Sequence, residues 1–382
     1  MKKIIAISVM FALIAGAVFA DTAIGGAVET RFSLAKQTGG EKDDPVMGGS
    51  IGAAQIQLSG SNTEGTLGGL FRLRNTDIVR SATWYHRVFV WWKPIEQVKI
   101  FLGIDNDGLF DTADFLGWSF HAGDNDYLFN HHWDFWRQVF PGNWDGFGLA
   151  FSFYPMPGLD LNLVLPTGGI NWPQATDAQV GKSQPISGDT GMLPGRLRFS
   201  GNYSLDFGKI SFVYIGGVAA KEKGTAAAGS LDADNNGLLG LSFLITAIEG
   251  IQIKVGGSLG LNTDSDMLIN AGLGVAWAGD GFGVKFRAGL VTQGDADMFI
   301  TGNIMPYFGA GENAQVLVDI GVTSVGDSMG WYVTPAYRLG IDGGAFKIGI
   351  QLYNNIKLGG NIEISGADYV KWNIPMLLAF NF

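Results

Sequence analysis

Residues 371–382 read Lys-Trp-Asn-Ile-Pro-Met-Leu-Leu-Ala-Phe-Asn-Phe. Trp372, Ile374, Met376, Leu378, Phe380 and Phe382 form one alternate set, all large and apolar. Lys371, Asn373, Pro375, Leu377, Ala379 and Asn381 form the other, which is mixed. A β-strand sends successive side chains to opposite faces, so this stretch has one apolar face and one partly polar face. Such a strand suits an apolar medium on one side and water on the other.

Working back towards the amino end, the same period recurs. Phe346, Ile348, Ile350 and Leu352 alternate with Lys347, Gly349 and Gln351. Val316, Val318, Ile320 and Val322 alternate with Gln315, Asp319 and Gly321. Val284 and Phe286 alternate with Gly283, Lys285 and Arg287, and Ile251, Ile253, Val255 and Leu259 with Gln252, Lys254 and Ser258. Counting such segments predicts an all-β chain of about eighteen strands, with about sixteen as the alternative count. They run roughly over 22–35, 49–58, 65–74, 83–93, 97–104, 145–154, 158–165, 195–206, 209–219, 237–247, 250–262, 267–277, 281–292, 297–308, 313–323, 329–340, 344–353 and 370–382. Connections after even-numbered strands are short and carry Gly, Pro, Asp or Asn, as at Pro155 to Pro157, Gly279 to Asp280 and Asp342 to Gly343. Most of those after odd-numbered strands are longer. Segment 355–368 has room for a further hairpin.

The amino end reads as a signal peptide over 1–20. Lys2 and Lys3 precede an apolar run from Ile4 to Phe19, and Val18-Phe19-Ala20 places small residues where a signal peptidase reads. Cleavage is expected after Ala20, leaving 21–382 as one domain. No later stretch is long and apolar enough for a membrane helix; Leu238 to Ile248 is short and interrupted by Gly and Ser. A secreted chain that crosses lipid without helices must close its strands into a barrel. Composition agrees. Cysteine is absent, so no disulfide supplies rigidity, while 58 glycines suit curved strands. Charged residues are 16% and aromatics 12%, an unusual balance for a wholly water-exposed surface. The net charge of −10 argues against nucleic acid as a partner.

Alternation over the last strand, ending in Leu378-x-Phe380-x-Phe382, resembles the carboxy-terminal signature of Gram-negative outer-membrane barrels. The alternation of short turns and long loops extends the resemblance to porins over the whole mature chain, as architecture rather than as matched motifs. The resemblance implies an antiparallel transmembrane barrel in the outer membrane, with periplasmic turns and extracellular loops. It also implies recognition of Phe382 by the barrel-assembly machinery, lipid as the surrounding partner, and a water-filled lumen passing small hydrophilic solutes and ions. It leaves monomer and homotrimer both open.

Setting the large apolar residues outward places most basic residues on the lumen side: Arg31, Arg72, Arg74, Arg87, Lys99, Arg196, Arg198, Lys254, Lys285, Arg287, Arg338, Lys347 and Lys371. In the fourth strand both faces carry aromatics, and Arg87 sets the phase, because a charge facing the bilayer midplane costs about 2–4 kcal/mol. Inward acids are fewer: Glu29, Asp160, Asp206 and Asp319. Acids gather instead in the third long loop, 104–142, which holds Asp105, Asp107, Asp111 and Asp114. In porins that loop commonly folds inward, and the resemblance implies a constriction with its acids facing Arg72, Arg74 and Arg87. The loop's aromatics, Trp118, Trp133 and Trp136 among them, read either as a track for sugar rings or as a small core that holds its shape.

Other signals are weaker. Asp232-x-Asp234-x-Asn236-Gly237 opens like a calcium loop, but its twelfth position is Phe243, which excludes an EF-hand. Asp105-x-Asp107-Gly108 is equally partial, so calcium at these acidic loops is at most a loose association, and no other cofactor is expected. His131, His132 and nearby His121 do not make a metal-ligand spacing. No nucleophile elbow, P-loop or zincin motif occurs, so an enzyme is not expected. Two rivals stand beside the diffusion channel: a sugar-selective channel, and a closed barrel acting as adhesin or structural protein.

Overall fold

The computed structural model describes residues 21–36, 46–75, 85–105, 146–168, 198–216, 235–262, 267–293, 297–355 and 369–381. Among them there is no helix. The strands are β1 (Asp21–Lys36), β2 (Val46–Ser61), β3 (Leu67–Asn75), β4 (Tyr85–Ile95), β5 (Val98–Asp105), β6 (Gly146–Met156) and β7 (Leu159–Gly168). Next come β8 (Arg198–Leu205), β9 (Gly208–Gly216), β10 (Asn235–Ile245), β11 (Ile251–Asn262), β12 (Leu268–Ala278) and β13 (Phe282–Gln293). The last are β14 (Phe299–Gly309), β15 (Ala314–Val325), β16 (Ser328–Ile341), β17 (Gly344–Gly349), β18 (Gln351–Asn354) and β19 (Val370–Asn381). Chain neighbours pair antiparallel, and β1 pairs with β19, so the sheet is closed.

Strands β17 and β18 are halves of one stave. Both lie between β16 and β19, and the register carries through the break, from Ala336 opposite Gly349 to Val333 opposite Leu352. The break falls at Ile350, whose amide donates to the Pro335 carbonyl at 3.0 Å. Pro335 on β16 has no N–H to return, and Pro375 on β19 stands on the other flank of the same point. The barrel therefore has eighteen staves. Each expected segment meets one of them with ends within about three residues, and only the seventeenth is divided.

Short turns close one end. Pro157-Gly158 and Asp342-Gly343 make two-residue connections in which glycine takes the left-handed backbone, at φ 81° and 69°. Asp206, expected on the inner wall, sits in the β8–β9 turn instead, because β8 stops at Leu205. At the other end most connections fall outside the described residues, including all of 106–145 and 356–368; Gly326-Asp327 is a tight exception.

Alternation divides the wall into two faces. Val90, Leu102, Leu241, Leu273, Phe286, Ile304, Ile320 and Leu352 point outward and are exposed. Towards the turn end the outward residues become aromatic: Trp92, Phe153, Phe207, Trp277, Phe308 and Phe380. Phe282 joins two of them, with ring centroids 5.3 Å from Trp277 and 4.7 Å from Phe308. An apolar band bordered by aromatics is the surface that a bilayer and its interface require. Lys254, Arg287, Asp319 and Lys347 lie on the inward face and are buried.

The inward face is not uniformly polar, which departs from the expectation of a basic wall alone. Phe89, Phe101, Ala150 and Val164 form a buried apolar patch across β4–β7, with Leu70 and Trp91 against it. Met305, Leu317, Ala336, Leu377 and Ala379 form a second on β14–β19, with Tyr307. The strand period puts Phe89 and Leu377 on the inner face, but it does not say which inward residues of neighbouring strands meet.

Aromatic rings on the inner wall lie over glycines directly across the ladder. Trp91 covers Gly68, Tyr307 covers Gly283 and Tyr332 covers Gly321, and a Cβ at any of the three glycines would fall within the ring. Each ring covers bare backbone that a glycine leaves unpacked. Gly321→Ala is expected to destabilise the barrel by about 1–3 kcal/mol by forcing Tyr332 off the wall. In a Tyr332→Ala background the same change should cost well under half as much, as a double-mutant cycle of unfolding in lipid vesicles would read. Equal costs in the two backgrounds would contradict the packing described.

Candidate functional site

The inner wall is the candidate site, and its described cations are spread around it, among them Arg72 and Lys99 on β3 and β5, Lys254, Lys285 and Arg287 on β11–β13, and Arg338 opposite Lys347 on β16–β17. Arg72 on β3 stands in backbone register opposite Arg87 on β4 and Gln57 on β2. Its Nε donates to Gln57 Oε1 at 3.0 Å. Arg74 is opposite Gln55 and Tyr85, and Arg198 opposite Val164. Of Arg74, Arg87, Arg198 and Asp105 only the backbone is described. Arg196, Asp107, Asp111 and Asp114 lie outside the described residues, as do the loop 106–145, Asp232, Asp234 and the histidines at 121, 131 and 132.

Lys99, the second residue of β5, stands opposite Ser152. Its Nζ sits 4.3 Å from the Trp91 ring centroid and 4.8 Å from that of Phe101. Ring faces carry partial negative charge, so both hold the ammonium against the apolar patch.

The group on β11–β13 lies ten staves from Arg72 one way round and eight the other. Lys285 on β13 is opposite Ala276 and Met305, and Arg287 is opposite Gly274 and Asn303. Lys254 on β11 faces the other side of Gly274. The expected basic residues are thus not one cluster: Arg72 and the Lys254–Arg287 group stand on nearly opposite sides of the ring.

Hydrogen bonds run along the wall from Arg287. Its Nε donates to Asn303 Oδ1 at 3.1 Å, Asn303 Nδ2 donates to Asp319 Oδ1 at 2.8 Å, and Tyr332 Oη donates to the same oxygen at 3.2 Å. All four side chains are buried, from Tyr332 at 0% exposed to Arg287 at 8%. Beside them Thr301 pairs with Thr323 at 3.2 Å, Arg338 Nη1 donates to Gln315 Oε1 at 3.2 Å, and Asn373 Nδ2 donates to Gln351 Oε1 at 3.4 Å. Across the ring Ser152 Oγ donates to Asn162 Oδ1 at 2.7 Å. Asn303, Tyr332 and Gln57 are neutral and carry no charge signal in the sequence. Their inward phase was available; their partners depend on register between strands.

Near the turn end a cavity of about 540 Å³ indents β1–β4. Leu70, Phe89 and Trp91 form its apolar side, and Thr22, Ser59 and Ser61 its hydroxyl side. Among the described residues no group of three or more His, Cys, Asp or Glu could hold a metal ion.

Comparison with protein-family models finds no match, and comparison with curated proteins finds none either. Solved structures do match. A BenF-like porin from Pseudomonas fluorescens Pf-5 shares 8% identity, with 95% of this chain and 99% of that one covered, at a TM-score of 0.58. An anion-selective porin from Comamonas acidovorans shares 11% identity over 95% of this chain and 99% of that one, at a TM-score of 0.50. The chain therefore has a porin-like architecture, an all-β barrel of eighteen antiparallel staves.

The absence of native cysteine makes the two faces directly testable. In vesicles, Arg72→Cys and Lys285→Cys should react with a small charged thiol reagent, while Ile56→Cys and Phe286→Cys should not. Reaction at the outward pair and protection of the inward pair would reverse the assignment of faces.

Proposed function

We propose that this chain is an outer-membrane channel through which small hydrophilic solutes and ions diffuse. The observation that carries the reading is a closed ring with an apolar outer face, an aromatic border and an inner face bearing Arg72, Lys99, Lys285 and Arg287. Such a ring satisfies every stave's backbone within lipid and encloses a polar route. In this reading the short turns face the periplasm and the cavity on β1–β4 opens towards it.

One observation favours a second reading, a barrel closed to solutes. Thr334, Lys347, Gln351 and Leu377 are inward residues with almost no exposure, so the inner face of β16–β19 is covered rather than open to water. Conductance separates the two. Refolded mature protein in a planar bilayer should give stable open steps of nanosiemens order, and Arg72→Ala should change their size and ion preference. Folded protein that stays silent at every voltage would establish the closed barrel.

A further inference from the structure

We propose that the seventeenth stave is jointed at the Gly349–Ile350 peptide and latched at Asn355, so that its loop-end half, β18, opens from β16 as a unit while β17 stays in the wall. In an antiparallel ladder a hydrogen-bonded pair exchanges two bonds, and successive residues of a strand turn to opposite neighbours. Ile350 gives its amide to the Pro335 carbonyl at 3.0 Å, and Pro335 has no N–H to give back. Gly349, one residue earlier, turns to β19. The register there runs from Ile348 opposite Met376 to Gln351 opposite Asn373, which sets Gly349 opposite Pro375. Two consecutive carbonyls, of Gly349 and Ile350, therefore face prolines on opposite flanks and receive no ladder bond from either. Prolines in sheets keep to edges or bulges because each removes a donor. Here two of them, on different staves, meet one stave at one height.

Side chains beside the joint are loosely met as well. Among the described residues the buried Thr334 Oγ1 and Asn373 Oδ1, on either side of Gln351, have no hydrogen-bond partner, and Asn373 Nδ2 reaches Gln351 Oε1 only at 3.4 Å. Above the joint β18 is short. Trp331, Tyr332 and Val333 pair it to β16, and Val370 to Asn373 pair it to β19. At its far end stands Asn355, the one non-glycine residue with a left-handed backbone among the described residues, at φ 54°. Its Nδ2 donates to the Met329 carbonyl of β16 at 2.9 Å. β16 itself is firm, since Gly326-Asp327 joins it to β15 by a tight hairpin whose ladder runs unbroken from Ala314 to Val325. A short panel with an interrupted ladder at one end and a side-chain latch at the other opens more readily than the continuous staves beside it. β18 carries Gln351 and Tyr353 on the inner wall, with Tyr353 against Tyr332, so its opening changes the lining at the loop end. Simple fraying at the loop side is the alternative, and it makes a different prediction.

Amide hydrogen exchange of the folded mature protein in lipid nanodiscs, read residue by residue, distinguishes them. Leu352 and Asn354 should exchange about tenfold or more faster than Ile320 and Val322, which stand at the same height two staves away. Phe346 and Ile348, below the joint, should stay slow. Pro335→Ala returns a donor to Ile350 and should slow Leu352 and Asn354 by about threefold or more. Asn355→Gly keeps the left-handed backbone but removes the latch, and should speed them by about the same factor. Pro375→Ala should slow Tyr353, which turns to β19, and keeps the test open if Pro335→Ala fails to fold. Ile320 and Val322 should keep their rates in every variant. Matching rates on β18 and β15 would overturn the joint. Fast exchange on β18 that neither proline variant slows would mean end fraying and overturn it too. Unchanged exchange in Asn355→Gly would remove the latch. Exchange needs no current, so a silent barrel overturns the channel reading and leaves this inference standing.

Discussion

A backbone N–H or C=O at the middle of a bilayer has no water to turn to, so each stave must be paired on both flanks. The pairing of β1 with β19, Ala27 opposite Asn381 through Phe32 opposite Met376, meets that demand for the two staves farthest apart in the chain. Without it there would be two open edges, each a row of unmet hydrogen-bonding groups. Once the ring is shut, inside and outside become different solvents. The two-residue period of every strand is then sorted by that difference rather than by contact with a second sheet.

Among the described residues the outer face obeys a single rule, that charge is excluded. Three packing modes divide the inner face: the apolar patch around Phe89 and Val164, the second around Leu317 and Leu377, and the polar row from Arg287 to Tyr332. Buried polar groups in a low-dielectric wall must be partnered, so the row runs unbroken from Arg287 through Asn303 and Asp319 to Tyr332. The ladder is interrupted at Ile350, flanked by Pro335 and Pro375, where the two neighbouring staves each lack a donor.

Much of the fold was legible in particular segments. The alternation in 371–382, in 313–323 and in 281–292 placed β19, β15 and β13 on their true faces, since that period is local and lipid tolerates little error in it. The short Pro- and Gly-bearing connections placed the turn end. Phase alone put Lys99, Lys285, Arg287 and Asp319 on the inner wall. The division of the seventeenth stave was not legible, because its cause lies in prolines on two other strands. The inward phase of Phe89 and Leu377 was legible from Arg87 and from the alternation in 371–382, but their gathering into patches across neighbouring strands depends on register.

By itself, the sequence determined the two-faced period of the strands, the turn end and the inward phase of Lys99, Lys285 and Arg287, and it favoured eighteen staves over sixteen. These follow from a period of two and from local turn chemistry, which neighbouring residues specify. Tertiary structure alone decided which inward residues meet. Arg287 finds Asn303, Arg72 finds Gln57, and Arg72 and Arg287 are set on nearly opposite sides of the ring rather than in one cluster. Those meetings depend on register between strands and on ring closure, which bring together residues that no local pattern relates.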